Sequence, residues 1–339
     1  MKNRKLKILI AYNEPIKRPG YDLDYISEAG VKDEAEAVYQ AILKLGHVPA
    51  YLAAKNLDQI LSKIDRFGPD LIFNLCEGFH GRAQNEMYLA ALWELLGIPY
   101  TGNPPLTLGL AQDKVLAKRL FQSAQILTPP YEVFLKMPEA CGLDYPVIAK
   151  PSREDASLGI EQGAAILYNF DELKQRVGDL LMKYQQPILV EQFIDGREFN
   201  ISILGNDPPR ALAISEISFD ELGTTAPHIT GYEAKWLIDH PLYQKTPAIC
   251  PANITIELKL RLEQIALQVY EILGGRDYGR IDTRVDADGN IFVLEYNPNP
   301  DISSEAGFVR ALKAFGISYN DFVEQLIIEA LKRKSNDRN

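Results

Sequence analysis

The stretch GRIDTRVDADGNIFVLEYNPNP, residues 279–300, predicts an antiparallel β-hairpin with polar residues set among apolar ones. Asp288-Gly289 is a favoured two-residue hairpin loop, because both central residues of such a loop must tolerate a positive φ. Two runs of alternating polarity, Arg280–Val285 and Ile291–Tyr296, flank this loop and are predicted to be its strands. Charged and amide residues within these strands indicate a binding site, provided that they lie on one face.

The hairpin register decides which side chains meet. Counting outward from the loop sets Asp282 opposite Glu295 and Arg280 opposite Asn297, and opposed residues share a face with Cβ atoms roughly 5 Å apart. Period two then places six side chains on that face: Arg280, Asp282, Arg284, Val293, Glu295 and Asn297. Opposed carboxylates repel unless a cation neutralises them, and Mg²⁺ binds one or two carboxylates together with substrate phosphates. The alternative is a solvated face with the two arginines as counter-ions, and a one-residue bulge would also break the pairing.

Composition excludes several classes of protein. The chain has 339 residues, 46 % hydrophobic and 24 % charged, which suffices for two or three domains with sizeable cores. Its net charge of −10 argues against a general nucleic-acid surface but leaves room for a local anion pocket. Three scattered cysteines and four histidines follow no metal-ligand spacing, so a reducing, cytoplasmic setting is expected. The start MKNRKLKILIAY has too short an apolar run for a secretory signal, and no run reaches membrane-spanning length.

The first part of the chain alternates strands with helices, which predicts a parallel α/β domain over about residues 1–105. The predicted strands are Leu6–Tyr12, Asp70–Leu75 and Ile98–Tyr100, and the predicted helices are Lys32–Leu45 and Asn85–Leu96. Later elements are helices at Gln112–Ala124, Ile254–Leu273 and Tyr319–Lys332, and strands at Tyr131–Leu135, Val147–Ala149, Ile188–Gln192, Glu198–Leu204 and Ala211–Ser218. The segment Gly223–Pro247 is a long loop, and loops of this length are usually functional or disordered.

Two lysines occupy places where a cation could meet phosphate groups. Lys150 follows a buried strand and precedes the polar turn 151–159, whose backbone N–H groups could cover phosphates. Lys114 lies near the start of a helix, after Asp113. Taken alone, each lysine is more often a surface residue, and a turn with one glycine is more often an ordinary connection.

Further polar residues lie at predicted turns and strand ends. Glu191 and Glu198 flank Asp195-Gly196, where a carboxylate could accept ribose hydroxyls, although exposed acids around a turn explain them equally well. His80 and Arg82 follow the predicted strand Asp70–Leu75, and loops at the carboxyl ends of parallel strands form ligand sites. An arginine there can grip a carboxylate or phosphate with two hydrogen bonds, or it can lie in water.

The long loop contains Lys235 and Trp236 in the motif GYEAKW. A flexible lid that closes over phosphoryl chemistry excludes water, whereas the alternative is a surface loop with one anchoring tryptophan. The sequence has no GxSxG motif and no evident Cys/His pair, so a protein nucleophile is not indicated.

Seven motifs, in this order, make the chain resemble the ATP-grasp superfamily and, within it, the D-alanine–D-alanine ligases. The motifs are HGRAQNE from residue 80, IPYTG from 98, QDK at 112–114, KPSREDASLG from 150, VEQFIDGRE from 190, GYEAKW from 231 with CPA at 250–252, and RID at 280–282 with LEYNPNP from 294. The likeness spans nearly the whole chain.

The resemblance implies an ATP-grasp fold of three domains, α/β overall and α+β in its C-terminal part, with ATP held between two domains that contain antiparallel sheets. The implied domains are residues 1–105 as the parallel α/β domain, 106–194 as the central subdomain and 195–339 as the C-terminal subdomain, which includes a lid loop at 223–247 and a metal hairpin at 279–300. The resemblance also implies a cytoplasmic enzyme, with a homodimer as one of the oligomeric states open to it.

The resemblance assigns roles to residues on both sides of the reaction. Lys114, Lys150, Glu191, the backbone of Phe193 and Ile194, and Glu198 would hold ATP. Two Mg²⁺ ions, or Mn²⁺, would be bound by Asp282, Glu295 and Asn297. Arg280, Lys235 and Ser157 would act in catalysis by stabilising charge. His80, Arg82, Trp236, Asp301 and Ser303 would face the carboxylate and amine substrates.

The departures from the family pattern fall in the amino-acid sites. Ala156 replaces the first of two adjacent serines in the turn, Trp236 replaces a tyrosine, and Asn85 stands where a glutamate is expected after HGR. Asp301 replaces a glycine, and Ala306 falls at the place of a serine that holds the carboxylate of the second substrate. An aspartate there would repel a carboxylate and attract an amine.

These departures predict an ATP-dependent carboxylate–amine ligase that forms an acyl phosphate and whose substrates differ from the standard D-alanine pair. The early glutamate that orients the first amino acid has two candidates, Glu28 and Glu34. The alternatives are a true D-alanine–D-alanine ligase, an ATP-binding regulatory module without ligase chemistry, and an ATP-grasp phosphotransferase or carboxylase-like protein. No nucleic-acid or membrane partner is expected.

Overall fold

The computed structural model describes residues 4–15, 30–154, 165–223, 228–229, 231 and 240–336. Within these ranges the chain forms one parallel and two antiparallel sheets with helices packed against them. The predicted α/β class, with antiparallel sheets in its later part, is confirmed.

The first sheet is parallel and has the strand order β2-β1-β3. Its strands are aliphatic because both faces are covered, as parallel sheets require. The core on one face includes side chains of the second and third helices, and the first helix covers the other face. The elements are β1 (Lys7–Asn13), β2 (Val48–Ala54), β3 (Leu71–Leu75), α1 (Val31–Lys44), α2 (Leu57–Phe67) and α3 (Glu86–Leu95).

The sequence did not predict β2 and α2. The strand VPAYLAA at Val48–Ala54 mixes exposed and buried positions without strict alternation, because it lies at the sheet edge. The predicted strand Ile98–Tyr100 is wrong, since this segment makes a single bridge between Tyr100 and Ile72. Pro99 has no N–H to continue a ladder, and it contributes only its carbonyl, which accepts from the N–H of Ile72 at 2.9 Å.

Two helices connect the first sheet to the rest, where the sequence predicted one. They are α4 (Pro105–Gln112) and α5 (Lys114–Ser123). Asp113 separates them because its side chain caps α5, accepting from the N–H groups of Val115 and Leu116 at 3.2 and 3.1 Å. The cap places Lys114 at the first position of α5.

The second sheet is antiparallel, with the order β4-β7-β5-β6, and one helix packs against it. The helix begins after an asparagine cap, Asn169, whose side chain accepts from the N–H of Glu172 at 3.0 Å. The sequence analysis did not predict this helix. The elements are β4 (Tyr131–Phe134), β5 (Val147–Pro151), β6 (Ile166–Leu167), β7 (Ile188–Gln192) and α6 (Phe170–Tyr184).

The third sheet contains six strands and is antiparallel, with the order β11-β10-β8-β12-β13 and β9 paired to β8. A long amphipathic helix packs on one face. The elements are β8 (Arg197–Leu204), β9 (Arg210–Ala211), β10 (Ser215–Ile217), β11 (Ala248–Ile249), β12 (Tyr278–Val285), β13 (Ile291–Asn297), α7 (Pro241–Lys245) and α8 (Ile256–Ile272).

The last two helices, α9 (Gly307–Phe315) and α10 (Tyr319–Asn336), return to the first sheet. Their apolar side chains share one core with α1 and with β1 and β3. Arg333 of α10 fixes the helix end on two sides: its Nη2 donates to the carbonyl of Tyr100 at 2.7 Å, and both oxygens of Asp277, just before β12, accept from its guanidinium at 2.6 and 2.9 Å. The limits of the three proposed domains stay a prediction.

Candidate functional site

The hairpin brings its polar residues together in the predicted register. Arg280 pairs with Asn297 and Asp282 with Glu295 across β12 and β13. Two local deviations cancel each other. The turn is one residue longer than predicted, because the N–H of Asp286 donates to the carbonyl of Asn290 at 3.1 Å. A β-bulge next to the Asp282–Glu295 pair then restores the predicted register.

The bulge changes which side of the sheet one residue occupies. Val293 pairs with Thr283, is fully buried, and belongs to the core that also contains Ile281 and Ile291. The prediction that Val293 shares the polar face is therefore wrong, because the extra residue at the bulge interrupts the alternation of side chains.

Asp282 is the centre of the polar face. Its Oδ1 accepts from Arg280 Nε at 2.7 Å and from Asn200 Nδ2 at 2.8 Å. Its Oδ2 accepts from Arg280 Nη2 at 2.9 Å and from Asn297 Nδ2 at 3.1 Å. The carboxylate is only 4 % exposed, so this array of donors holds both its charge and its orientation. Asn200, on the neighbouring strand β8, was not found from the sequence.

The donors on this face suit a hard divalent cation. They are two carboxylates, Asp282 and Glu295, and the amide of Asn297, and oxygen donors of this kind are those that Mg²⁺ prefers. Among the described ranges no three His, Cys, Asp or Glu side chains gather as a metal cluster. The set of two acids and an amide fits an ion that also binds substrate oxygens.

A second cluster lies on the sheet β4-β7-β5-β6, where one buried carboxylate meets two lysines. Glu191 forms ion pairs with Lys118 through Oε1 and with Lys150 through Oε2. The three residues are 4 %, 1 % and 8 % exposed, respectively. One carboxylate between two ammonium groups leaves a net positive charge in a nearly dry pocket, which favours binding of a polyanion.

Burial and charge act against each other in this cluster. Burial alone would raise the pKa of Glu191, but Lys118 and Lys150 more than offset it, and its pKa is lowered. Burial lowers the pKa of Lys118 to about 8; Glu191 opposes the shift and Lys150 adds to it. Lys118 therefore loses its proton closer to neutral pH than an exposed lysine does.

Lys118 was missed by the sequence analysis, although a pattern pointed to it. In α5 it shares the buried stripe of Val115 and Phe121 at a spacing of three residues, where an apolar residue is expected. A lysine in the apolar stripe of a helix needs a buried partner, and Glu191 provides it. The side chain also donates to Thr128 Oγ1.

Lys114 links the segment after β5 to the hairpin face. Its Nζ donates to the carbonyl of Glu154 at 2.7 Å and lies 3.6 Å from Glu295 Oε2. Its backbone N–H donates to the carbonyl of Ser152 at 3.0 Å. The contacts place Lys114 between the end of β5 and the hairpin face.

Residues 193–198, which the resemblance assigns to ATP binding and which are called the hinge below, follow β7. The N–H of Phe193 donates to the carbonyl of Pro146 at 2.9 Å, so a contact from Phe193 to a ligand would come from its carbonyl or its ring. The carbonyl of Ile194 accepts from Arg284 Nη1 at 2.8 Å. Glu198 Oε2 accepts from Arg284 Nη2 at 2.8 Å, so this arginine joins both halves of the hinge.

His80 and Arg82 lie in a tight turn after β3. The N–H of Phe79 donates to the carbonyl of Arg82 at 3.1 Å, and the reverse bond measures 3.3 Å. His80 and Gly81 have φ values of 55° and 65°, as this turn requires at its two central residues. Both predicted side chains are exposed.

The acidic residues of the predicted substrate side lie close together. Asp301 Oδ1 accepts from the N–H of Ser303 at 2.7 Å, and Glu34 Oε2 accepts from the N–H of Ile302 at 3.2 Å. Burial raises the pKa of Glu34, and the charges of Glu77 and Asp301 raise it further. A cation brought to this place would relieve that repulsion.

Four predicted site residues lie outside the described residues: Glu28, Ser157, Lys235 and Trp236. Ala306 is described, and it is the N-cap of α9 without a side-chain hydrogen bond.

Comparison with known proteins identifies the fold and the family. The fold is similar to the crystal structure of D-alanine–D-alanine ligase from Bacillus anthracis complexed with ATP, with a TM-score of 0.77 at 19 % identity, covering 98 % of this chain and 99 % of that one. This likeness shows the ATP-grasp fold. A sequence model described as "D-ala D-ala ligase C-terminus" matches residues 114–328.

Relatives of similar length support the same family. A D-alanine–D-alanine ligase of Bordetella petrii is 30 % identical over 338 residues, 94 % of this chain and 96 % of the relative. An uncharacterized protein of Sinorhizobium fredii, y4sG, is 32 % identical over 308 residues, 88 % of each. The chain belongs to the D-alanine–D-alanine ligase family and is an ATP-grasp ligase that forms carbon–nitrogen bonds. In the described residues no helix has the length and apolar character needed to cross a bilayer.

Proposed function

We propose that this enzyme activates a small carboxylate with ATP and joins it to an amine, and that its acceptor is not D-alanine. One observation carries the proposal. In the proposed nucleotide half, Glu191, Lys150 and Asp282 each have a counter-ion, whereas in the proposed acceptor half an acid that the family pattern lacks, Asp301, lies close enough to Glu34 to raise its pKa.

ATP is proposed to lie between the sheets β4-β7-β5-β6 and β11-β10-β8-β12-β13. The backbone at Phe193 and Ile194 would meet the adenine, and Glu191 and Glu198 the ribose and its surroundings. Lys114 and Lys150 would face the phosphates, because Lys114 stands between β5 and the hairpin. Lys150 would exchange part of its contact with Glu191 for the nucleotide, while Lys118 keeps Glu191 charged and in place.

Asp282, Glu295 and Asn297 would hold Mg²⁺ or Mn²⁺, which when bound neutralises phosphate charge. An oxygen of the substrate carboxylate attacks the γ-phosphorus, the bond to the β-phosphate oxygen breaks, and ADP leaves with that electron pair. The amine then attacks the acyl carbon, and the tetrahedral intermediate expels phosphate and loses a proton. Arg280, which Asp282 orients, is proposed to stabilise the phosphoryl charge together with Lys235 and Ser157.

The proposal that the acceptor differs from D-alanine rests on charge and on lost hydrogen bonding. Asp301 would repel an acceptor carboxylate, and Ala306 offers no hydroxyl to hold one. Losing the hydroxyl partner of a buried carboxylate costs about 1–3 kcal/mol, or roughly tenfold or more in substrate preference. His80, Arg82, Trp236 and Ser303 are proposed to face the substrates.

The second candidate, a D-alanine–D-alanine ligase in the strict sense, is favoured by the similarity to the Bordetella petrii enzyme over 94 % of the chain. Phosphate release from Mg-ATP with D-alanine alone, and then with a panel of amino acids, dipeptides and amines, separates the two candidates when the products are identified by mass. A dipeptide of two D-alanines would refute the altered acceptor. Loss of turnover in Glu295→Ala with the same pair of substrates assigns the phosphate release to this site.

A further inference from the structure

Arg284 is a buried cation that the reaction scheme above leaves without a role. It lies on β12, two residues beyond Asp282 and on the same face as Arg280 and Asp282. Its residue is 3 % exposed, so its guanidinium is bound by protein groups rather than by water. An arginine taken out of water needs a charged partner and further acceptors for its remaining donors.

The guanidinium reaches three separate segments of the chain. Its Nη2 and Nε donate to Glu198 Oε2 at 2.8 and 3.3 Å, on the neighbouring strand β8. Its Nη1 donates to the carbonyl of Ile194 at 2.8 Å, in the hinge. Nη2 also donates to the carbonyl of His228, whose residue falls in the long loop after β10.

Aromatic rings complete the surroundings of the cation. The guanidinium carbon lies 5.0 Å from the ring centre of Phe193 and 5.6 Å from that of Phe219. The ring of His228 stacks on Phe219, with centres 5.4 Å apart and planes at 1°. The planar, forked shape of arginine is required here, because lysine cannot bridge three acceptors between two rings in this way.

We propose that Arg284 is a positioning residue for the adenosine half of the nucleotide site, an inference that rests on the proposed binding of ATP. It holds the Glu198 carboxylate and the hinge at Ile194 in one fixed relation, so that the carboxylate is preset to accept a ribose hydroxyl. Its bond to the His228 carbonyl ties the long loop to the same guanidinium. Arg284 thus acts on nucleotide affinity and ribose recognition rather than on phosphoryl transfer.

The test compares ATP with its 2′-deoxy and 3′-deoxy forms. A hydrogen bond to a charged group changes a dissociation constant by a factor of about ten to a hundred. One of the two deoxy nucleotides should therefore bind the wild-type chain at least about tenfold more weakly than ATP. In Arg284→Met the dissociation constant for Mg-ATP should rise by about tenfold or more. The ratio of the dissociation constants of the deoxy nucleotide and ATP should fall to about twofold. The rate at saturating ATP should change by less than about threefold.

The variants keep a folding defect apart from a positioning defect. Arg284→Met combined with Glu198→Gln removes both charges of the ion pair, and it should show the same lost discrimination. Arg284→Lys keeps the charge but not the fork, and it should restore less than half of the lost affinity. Arg333→Met is the matched control: it also removes an arginine from a buried aspartate, Asp277, but should leave the discrimination unchanged.

The outcomes separate this inference from the proposed function. If the wild-type chain is folded but binds no Mg-ATP, the nucleotide site is refuted and the role of Arg284 with it. If the wild-type chain binds ATP with ribose discrimination and Arg284→Met retains the same discrimination, only the positioning role is overturned. A wild-type chain that binds ATP and both deoxy forms equally also overturns it, because Glu198 then meets no ribose hydroxyl.

Discussion

Lys118 should make nucleotide binding depend on pH. Burial lowers the pKa of Lys118 from 10.5 to about 8 in the free protein. The phosphates of a bound nucleotide favour the charged lysine, so the pKa in the complex lies above 8, and ATP binding takes up a proton when the pH exceeds 8. Affinity is therefore full below about pH 8 and falls as the pH rises through it, by at most about tenfold per pH unit.

Lys118→Met should weaken Mg-ATP binding at neutral pH. Glu191 then retains only Lys150, which it holds more tightly and withdraws from the nucleotide. A contact between Lys150 and the phosphates is a charge-assisted hydrogen bond, worth about 1.5–3 kcal/mol, and Lys118→Met weakens it by holding Lys150 on Glu191. A loss of about 1–3 kcal/mol is expected, a factor of roughly ten to a hundred in the dissociation constant.

The assay is calorimetric titration of Mg-ATP at pH 7, 8 and 9. The wild type should bind more weakly at pH 9 than at pH 7, and Lys118→Met should bind more weakly throughout but with a flatter dependence on pH. Lys136→Met is the control, because the Lys136 side chain is 84 % exposed and lies outside both clusters. Parallel pH profiles for wild type and Lys118→Met would show that another group titrates.

Three further predictions follow from the described residues. Ala306→Ser should cap α9 through its hydroxyl and stabilise the protein by about 1 kcal/mol, measured as a higher thermal midpoint. Asp301→Asn should raise kcat/KM for D-alanine as acceptor by about tenfold, since removing the repulsion between two nearby unit charges is worth on the order of 1–2 kcal/mol at an effective dielectric of about 20. The same change should lower the pKa of Glu34, which carboxylate chemical shifts in an NMR titration would report. Asp277→Asn should cost about 1–3 kcal/mol in urea unfolding, because it removes the charge that accepts two bonds from Arg333, while the partly exposed guanidinium keeps its bond to the Tyr100 carbonyl.

The sequence was sufficient to predict the hairpin register, although the predicted turn length was wrong. The pairing of Asp282 with Glu295 is correct because a longer turn and a bulge shift the register by equal and opposite amounts. Turn length follows from local contacts such as those of the Asp286 side chain, which accepts from the N–H groups of Asp288 and Asn290. A count along an idealised hairpin contains neither contact, and it therefore misplaced Val293.

Long-range contacts account for most of what was missed. The return of α9 and α10 to the first sheet depends on packing between residues about 300 positions apart, and helical periodicity does not specify the partner of an apolar stripe. The same holds for Lys118 of helix α5, because its partner Glu191 lies 73 positions away on strand β7. Asn200 could not be separated from an ordinary strand residue until β8 was known to lie beside β12.

The acids of the proposed nucleotide site share one electrostatic feature that the single motifs do not show. Glu191 is paired with Lys118 and Lys150, Asp282 with Arg280, and Glu198 with Arg284. Glu295 likewise lies 3.6 Å from Lys114, so each carboxylate assigned to the nucleotide or its metal has a cation of the chain beside it, which offsets the repulsion expected for acids on neighbouring strands. A ligand that binds at such a site replaces an existing ion pair and does not meet an unpaired charge. The cations of the chain therefore determine affinity as much as the acids do.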